Sequence, residues 1–328
     1  MRAPEFWSRD DAVSRIAAAA LAPIGLLYGA SVAWRSRLAR PYRPTARVVC
    51  VGNLTAGGTG KTPVAIAVAK ALESRGLKAV FLSRGYGGRE PGPLLVDPAR
   101  HDASDVGDEP LLLARHAPVI VSRDRRAGAV LADKHGAEII VMDDGHQNFS
   151  LEKDLSFVVI DAANPFDNGR MIPAGPLREP VAQGLARADA VVALGQGKPD
   201  LGAFGGAVLC ASLQPDAGIS LLRQRVLAFA GIGRPEKFFA TLRTLGADLV
   251  DTRGYADHHA YSATELARLK SAALANEARL ITTEKDHARM SPDEREGIDV
   301  LPVRVVFEDA AGLAGVLDRL NARRHILQ

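Results

Sequence analysis

The sequence has 328 residues, of which 47% are apolar and 24% are charged. This length and composition predict about two globular domains and exclude an intrinsically disordered chain. The formal net charge of +3 is too small to indicate nucleic-acid binding by itself. Cys50 and Cys210 lie far apart in apolar segments. We therefore predict two buried structural thiols in a reducing cytosol, with no disulfide and no cysteine metal site.

The first distinctive segment is an uncharged stretch over residues 16–34, followed by Arg35, Arg37, Arg40 and Arg43. Its length approaches the roughly 20 residues that span a bilayer, but Pro23 and two glycines interrupt it. Three acidic residues precede it and disfavour a signal peptide, which needs a basic start. For residues 1–44 we predict a membrane-associated helix that lies at or shallowly in the interface, with the arginines on anionic lipid. A soluble helix docked on the core remains open.

A glycine-rich loop at residues 55–62 follows an apolar strand at 48–51 and precedes a helix. In that helix Val64, Val68 and Leu72 recur at helical spacing. A strand, a glycine loop and a helix in this order predict the phosphate-binding loop of a P-loop NTPase-like parallel α/β sheet. Glycines allow successive N–H groups to face an anion, and the helix dipole favours its charge.

The loop residues that we predict to bind ATP are Thr55, Ala56, Gly57, Gly58, Thr59, Gly60, Lys61 and Thr62. Lys61 is expected to reach the β- and γ-phosphates, and the Thr62 hydroxyl to ligate Mg²⁺. Thr55 departs from the usual pattern, which has glycine at this first position. We expect Gly57 and Gly58 to compensate.

Strands and helices alternate after this loop, which predicts a parallel sheet whose ligands lie beyond the carboxyl ends of the strands. Arg84 follows the strand at 79–82, and Arg125 follows the strand at 119–121. Each arginine is either solvated or available to an anionic substrate. Asp108 and Glu109 begin a helix, so Asp108 is either its N-cap or a functional carboxylate.

A second strong signal is the apolar strand at 139–142, which follows Glu138 and is followed by Asp143 and Asp144. In phosphate-loop enzymes an acid at this position holds Mg²⁺ directly or through water. The pair therefore predicts a magnesium site at the carboxyl end of this strand. The loop at 164–180 is too long for a simple connection and is expected to be functional.

The alternation restarts at Val226, which predicts a P-loop domain over 45–225 and a second, smaller α/β domain over 226–328. A turn in the smaller domain contains Asp257, His258 and His259. Adjacent histidines in a loop are usually solvated, and their spacing alone leaves a catalytic role open.

Seven motifs together resemble the tetraacyldisaccharide 4′-kinase family, the lipid A 4′-kinases, over nearly the whole chain. They are Gly-Asn-Leu-Thr (52–55), Gly-Gly-Thr-Gly-Lys-Thr-Pro (57–63), Ser-Arg-Gly-Tyr (83–86), Gly-Asp-Glu-Pro (107–110), Asp-Asp-Gly (143–145), Pro-Ala-Gly-Pro-Leu-Arg-Glu (173–179) and Thr-Glu-Lys-Asp (283–286). The resemblance implies transfer of the γ-phosphoryl group of ATP to the 4′-hydroxyl of a tetraacyl glucosamine disaccharide 1-phosphate. It also implies a site between the two domains, at the cytoplasmic face of the bacterial inner membrane. No nucleic acid and no obligate protein partner are expected.

The same resemblance assigns roles to individual residues. Asp108 would accept the proton of the sugar hydroxyl and pair with His258, although His259 is the alternative partner. Lys61 and Asp143 complete the predicted catalytic set with Asp144. The implied magnesium ligands are Thr62, Glu109 and Asp144, and the implied substrate contacts are Arg84, Arg125 and Arg178. The family commonly has Gln-His where this chain has Gln147 and Asn148, so any role of that histidine passes to Asn148 or His146 or is absent.

The main alternative is a P-loop ATPase switch of the partitioning or metal-chaperone kind, which shares the Gly-Gly-x-Gly-Lys-Thr loop. Such proteins have a lysine directly before the two glycines, where this chain has Ala56. A soluble ligase or small-molecule kinase is a second alternative, which the apolar amino-terminal stretch disfavours.

Overall fold

The computed structural model describes residues 4–216 and 220–325, with side chains described up to residue 320. The predicted α/β class is confirmed: two sheets carry helices on their faces. The larger sheet has nine strands in the order β13-β8-β7-β6-β1-β5-β2-β4-β3. Its strands are β1 (Arg47–Gly52), β2 (Ala79–Ser83), β3 (Leu94–Leu95), β4 (Val119–Val121), β5 (Ile139–Asp143), β6 (Leu155–Asp161), β7 (Ala190–Leu194), β8 (Ala207–Pro215) and β13 (Val303–Phe307).

The smaller sheet has four strands in the order β10-β9-β11-β12, all parallel. They are β9 (Arg225–Ala230), β10 (Asp248–Gly254), β11 (Arg279–Thr283) and β12 (Asp299–Leu301). The helices are α1 (Ala12–Leu38), α2 (Lys61–Glu73), α3 (Ala103–Val106), α4 (Asp108–Leu113), α5 (Arg125–Lys134), α6 (Val181–Leu185), α7 (Pro235–Thr244), α8 (Ala263–Ala275), α9 (Glu284–Ala288), α10 (Pro292–Arg295) and α11 (Ala310–His325).

The central strand β1 shows why the larger sheet is covered on both faces. Because side chains of a strand alternate between faces, Val49 and Val51 pack with α2 and α11 on one side, and Val48 and Cys50 pack with α5 on the other. All four are fully buried. Cys50 fits the predicted buried thiol, whereas Cys210 is only partly buried; neither forms a disulfide.

The carboxy-terminal segment lies on the larger sheet. The sequence analysis assigned residues 226–328 to the smaller domain, but β13 pairs antiparallel with β8. Helix α11 then packs Leu313, Val316 and Leu317 into the core under α2. The chain therefore leaves the larger sheet after β8, forms the smaller sheet and returns. This return was missed because a short strand and an apolar helix look alike in sequence whichever sheet they join.

Helix α1 packs through one face only. Its small residues Gly25 and Gly29 lie against Met171 in the long loop after β6. Large apolar side chains on the rest of the helix are exposed, namely Val13, Ile16, Ile24, Leu26, Leu27, Trp34 and Leu38. The helix is long and apolar enough to cross a membrane, with a mean hydropathy of 1.8 over its most apolar window. Length and composition alone give weak support for a membrane helix.

Candidate functional site

The glycine loop lies where the sequence predicts, between β1 and α2. Gly60 caps the helix with a φ of 82°, and a Cβ at this position would lie 2.5 Å from a Leu194 methyl group. Glycine is therefore required here both for the backbone conformation and for the close approach of β7. The start of the loop is tied to residues 173–180, because Ala56 N donates to Pro176 O at 2.8 Å.

The strand-end acids lie beside the start of α2. Thr62 Oγ1 donates a hydrogen bond to Asp143 Oδ2 at 2.9 Å. Asp144 lies between two cations, with Arg178 Nη1 2.7 Å from its Oδ1 and Lys61 Nζ 3.9 Å from its Oδ2. Although burial alone would raise the pKa of Asp144, the charges of Lys61 and Arg178 lower it. Asp144 is therefore ionised at neutral pH.

Asp143 has the opposite electrostatic surroundings. Burial and the carboxylates of Glu109 and Asp144 raise its pKa to about 7. Its Oδ1 atom is buried and has no hydrogen-bond partner in the described part of the chain. A divalent cation near these acids would supply the missing positive charge, so the residues present fit Mg²⁺.

Within residues 4–216 and 220–325, no three acidic, histidine or cysteine side chains converge into a metal-binding cluster. Mg²⁺ commonly takes one or two protein carboxylates and completes its shell with phosphate oxygens and water. The donor set of Thr62, Asp143 and Asp144 suits an ion that arrives with a nucleotide, whereas a permanent metal would need more protein ligands.

Asp108 and His258 meet across the two domains. Asp108 begins α4 and is almost fully buried, and its Oδ2 lies 3.1 Å from Nδ1 of His258. Burial alone would raise the pKa of Asp108, but the hydrogen bond from His258 and the charges of Lys285 and Arg289 hold it well below its usual range. The carboxylate is thus ionised and can accept a hydrogen bond.

Two cations next to Asp108 were missed by sequence reasoning. Lys285 Nζ lies 3.1 Å from Glu109 Oε1 and 3.1 Å from His258 Nε2. Arg289 Nε donates to Asp108 Oδ2 at 2.6 Å. Both follow β11 at its carboxyl end, where the Thr-Glu-Lys-Asp motif lies. Because ligands bind beyond the carboxyl ends of parallel strands, the position of these two residues after β11 could have indicated that they belong to the site.

The glycine loop also approaches the smaller domain through backbone contacts. Gly233, in the turn after β9, comes within 3.9 Å of the position that a Cβ would take at Gly58. Arg234 of the same turn forms an ion pair with Asp161 at the end of β6. The phosphate loop therefore faces the smaller domain, whose His258 and Lys285 contact Asp108 and Glu109 of the larger domain.

Comparison with known proteins matches this architecture. The tetraacyldisaccharide-1-P 4′-kinase family model matches residues 17–321. The chain belongs to the tetraacyldisaccharide-1-P 4′-kinase family. A tetraacyldisaccharide 4′-kinase from Rhodospirillum rubrum is 51% identical over 98% of both chains. One from Paramagnetospirillum magneticum is 50% identical over 98% of this chain and all of its own. A crystal structure of LpxK from Aquifex aeolicus in complex with ATP superimposes with a TM-score of 0.76 at 26% identity, covering 92% of this chain and 99% of that one.

The predicted family resemblance is thereby confirmed, and the ATPase-switch alternative is not favoured. Arg178 contacts Asp144, as described above. Arg84 is exposed at the end of β2. Arg125 is buried, donates from Nη1 to Ser122 O at 2.7 Å, and has an unpartnered Nε in the described part of the chain. Arg125 is therefore not the solvated helix start that the sequence allowed.

His146 is placed as a structural residue. It is fully buried, with Nδ1 3.1 Å from Ser156 Oγ and Nε2 3.0 Å from Gly184 O. Burial lowers its pKa to about 3. Asn148, at the position where this kinase family commonly has histidine, accepts a hydrogen bond from Ser150 Oγ at 2.9 Å. In these contacts both side chains serve local structure.

Proposed function

We propose that this chain transfers the γ-phosphoryl group of ATP to the 4′-hydroxyl of a tetraacyl glucosamine disaccharide 1-phosphate, a precursor of lipid A. The single observation that carries the site assignment is the ionised, buried Asp108 paired with His258 of the smaller domain, whose Gly233 lies against Gly58 of the glycine loop. Family membership supports the reaction, and the Aquifex aeolicus relative was crystallised with ATP.

The glycine loop and Lys61 would hold the triphosphate, with the loop N–H groups facing phosphate oxygens. Thr62, Asp143, Asp144 and Glu109 would hold Mg²⁺, which supplies charge neutralisation of the phosphates when it is bound. The raised pKa of Asp143 supports this assignment, because a crowded carboxylate without a cation resists ionisation. Arg178 would orient Asp144 from its opposite oxygen.

Asp108 would accept the hydrogen bond and then the proton of the 4′-hydroxyl, while His258 donates to its Oδ2. A carboxylate with a lowered pKa is a weak base, so its main contribution is to point the hydroxyl oxygen at the phosphorus atom. This suits phosphoryl transfer, in which positioning and charge stabilisation supply most of the catalysis.

Arg84 and Arg125 would contact anionic groups of ATP or of the glycolipid. Arg125 supports this role, because its buried Nε lacks a partner within the described residues. Burial, together with the nearby charge of Arg84, lowers the pKa of Arg125 to about 10. An anion between the two arginines would relieve both effects.

Helix α1 would lie on the cytoplasmic face of the inner membrane, where the glycolipid acceptor is found. Its glycine face packs on Met171 in the loop at 164–180, which also contains Arg178, so the membrane contact would be close in sequence to a residue of the active site. The exposed apolar side chains of α1 would enter the lipid, and the arginines after residue 34 would contact anionic headgroups.

The direct test is to incubate the purified protein with Mg²⁺, γ-labelled ATP and the tetraacyl disaccharide 1-phosphate in detergent. We expect label at the 4′-position of the lipid, and no label with Lys61→Ala. Label released only as inorganic phosphate, with or without lipid, would contradict the proposal and would favour the alternative function of an ATPase switch.

A further inference from the structure

Arg289 contacts Asp108 more closely than His258 does. Its Nε lies 2.6 Å from Asp108 Oδ2, compared with 3.1 Å for His258 Nδ1, and its side chain is 7% exposed. Little water therefore competes for this charge-assisted hydrogen bond. We propose that Arg289 is a positioning residue that fixes the Asp108 carboxylate for phosphoryl transfer, and that Asp286 holds Arg289 in place. The inference rests on the proposed function, because it takes Asp108 as the group that faces the acceptor hydroxyl.

Asp286 is built to hold the guanidinium group. Its carboxylate is fully buried and accepts four hydrogen bonds, all from the smaller domain. The donors are Gly231 N at 3.0 Å, Tyr261 OH at 2.9 Å, Thr283 Oγ1 at 2.6 Å and Arg289 Nη1 at 2.6 Å. Because none of them comes from the domain of Asp108, Asp286 holds Arg289 through contacts within the smaller domain alone.

A single peptide group sets the relative positions of Arg289 and His258. The carbonyl oxygen of Gly231 accepts from Arg289 Nη1 at 2.8 Å and from the backbone N of His258 at 3.1 Å. His258 has a φ of 59°, a conformation that a non-glycine residue adopts only when its surroundings impose it. The two donors to Asp108 Oδ2 therefore approach it as one rigid unit.

The carboxylate of Asp108 is also fixed from its other oxygen, because Oδ1 accepts from the backbone N of Glu109 at 2.9 Å. Arg289 has one unpaired hydrogen-bond donor: Nη2 is buried and has no partner in the part of the chain that the structure describes. Nη2 lies on the same edge of the guanidinium as Nε. Asp108 thus stays paired if its carboxylate turns toward an acceptor hydroxyl.

The test compares Arg289→Ala with a matched control, Arg279→Gln, in the full-length protein in detergent. Arg279 also forms an ion pair in the smaller domain, with Asp299 at 2.8 Å, but it does not contact Asp108.

For Arg289→Ala we expect kcat to fall about 10- to 100-fold while KM for ATP is unchanged, since hydrogen bonds to charged groups contribute on this scale. Millimolar guanidinium chloride should restore part of kcat, whereas sodium chloride at equal ionic strength should not. Wild-type kcat in Arg289→Ala, or a loss that guanidinium leaves unchanged, would overturn the proposal.

A second measurement is independent of activity. The ¹⁵N chemical shift of His258 Nδ1 reports its hydrogen bond to Asp108, and we expect it to change in Arg289→Ala but not in Arg279→Gln. An unchanged shift would also overturn the proposal. If Arg289→Ala does not fold, Asp286→Asn makes the same test, because it leaves Arg289 present without its anchor. Absence of lipid phosphorylation by the wild-type protein would refute the proposed function, and the His258 shift would still decide the role of Arg289.

Discussion

His258 Nδ1 lies 3.1 Å from Asp108 Oδ2, although 150 residues separate the two in the chain. The adjacent His259 is used differently: its Nε2 lies 3.1 Å from Glu265 Oε1, and its ring stacks on Tyr255 with centroids 4.7 Å apart. The sequence left the choice between these histidines open. The geometry favours His258 as the partner of Asp108.

We therefore expect Asp108→Asn and His258→Gln each to lower kcat by about 10²- to 10⁴-fold, because each removes a group that orients the acceptor hydroxyl and takes part in the transfer of its proton. Because the two side chains act as a unit, the double variant should be little worse than either single variant. His259→Gln is the matched control and should keep kcat within a few-fold. Single-turnover kinetics with γ-labelled ATP make the measurement, and additive losses in the double variant would argue against a pair.

Asp144 provides a prediction about magnesium. Its two oxygens face Arg178 and Lys61, and its pKa is lowered by these charges, so it is ionised at neutral pH. Asp144→Asn should raise the Mg²⁺ concentration for half-maximal activity by at least about 10-fold, because a charged ligand becomes neutral. Magnesium titrations of the kinase rate test this.

The control for that titration is Asp133→Asn. Asp133 binds the backbone N–H groups of Thr45 and Ala46 just before β1, at the opposite edge of the sheet. If Asp144→Asn needs the same Mg²⁺ concentration for half-maximal activity as the wild-type protein, Asp144 is not a ligand of the metal.

The exposed face of α1 predicts membrane binding that depends on its exposed apolar side chains. Leu26 and Leu27 are 72% and 73% exposed. Replacing both with glutamate should lower binding to vesicles containing anionic lipid by more than about 10-fold, because burying one leucine contributes roughly 1.5–3 kcal/mol. The unfolding temperature should be unchanged, and flotation with vesicles makes the measurement.

Leu274→Glu is the control for membrane binding, since Leu274 is 81% exposed on α8 of the smaller domain. Equal vesicle binding by the α1 variant and this control would favour the docked soluble helix that the sequence left open.

The sequence predicted the parts of the site that follow local patterns. Each of these parts is a contiguous stretch of sequence: the glycine loop, the apolar strand ending in Asp143, and the family motifs. The spacing of residues within each stretch was therefore enough to predict it. Lys285 and Arg289 form contacts across domains, and Asp286 holds Arg289 from within the smaller domain. No local period indicates which distant carboxylate a charged residue will pair with. The return of β13 to the larger sheet escaped prediction for a similar reason, because strand pairing depends on side-chain packing far along the chain.

His146 gives a prediction about stability and pH. Its burial favours the neutral ring: Gly184 O can only accept, so Nε2 carries the proton, and in the neutral ring Nδ1 then accepts from Ser156. Burial lowers its pKa from the ordinary value of 6.5 to about 3. Between these values the unfolded chain binds a proton that the folded protein does not bind. This contribution to the free energy of unfolding is therefore complete above the unfolded pKa and is lost as pH falls toward the folded pKa.

We expect the free energy of unfolding to fall with decreasing pH by up to about 1.4 kcal/mol per unit from this residue, over a window from about pH 6 down to about pH 4. His146→Asn should reduce that slope, whatever it does to the absolute stability, because asparagine does not titrate. Urea unfolding at several pH values measures the slope. His135→Asn is the control, since His135 is exposed at the end of α5, and its removal should leave the slope as in the wild-type protein. A slope in His146→Asn equal to that of the control would show that His146 takes up its proton in the folded protein as readily as in the unfolded chain.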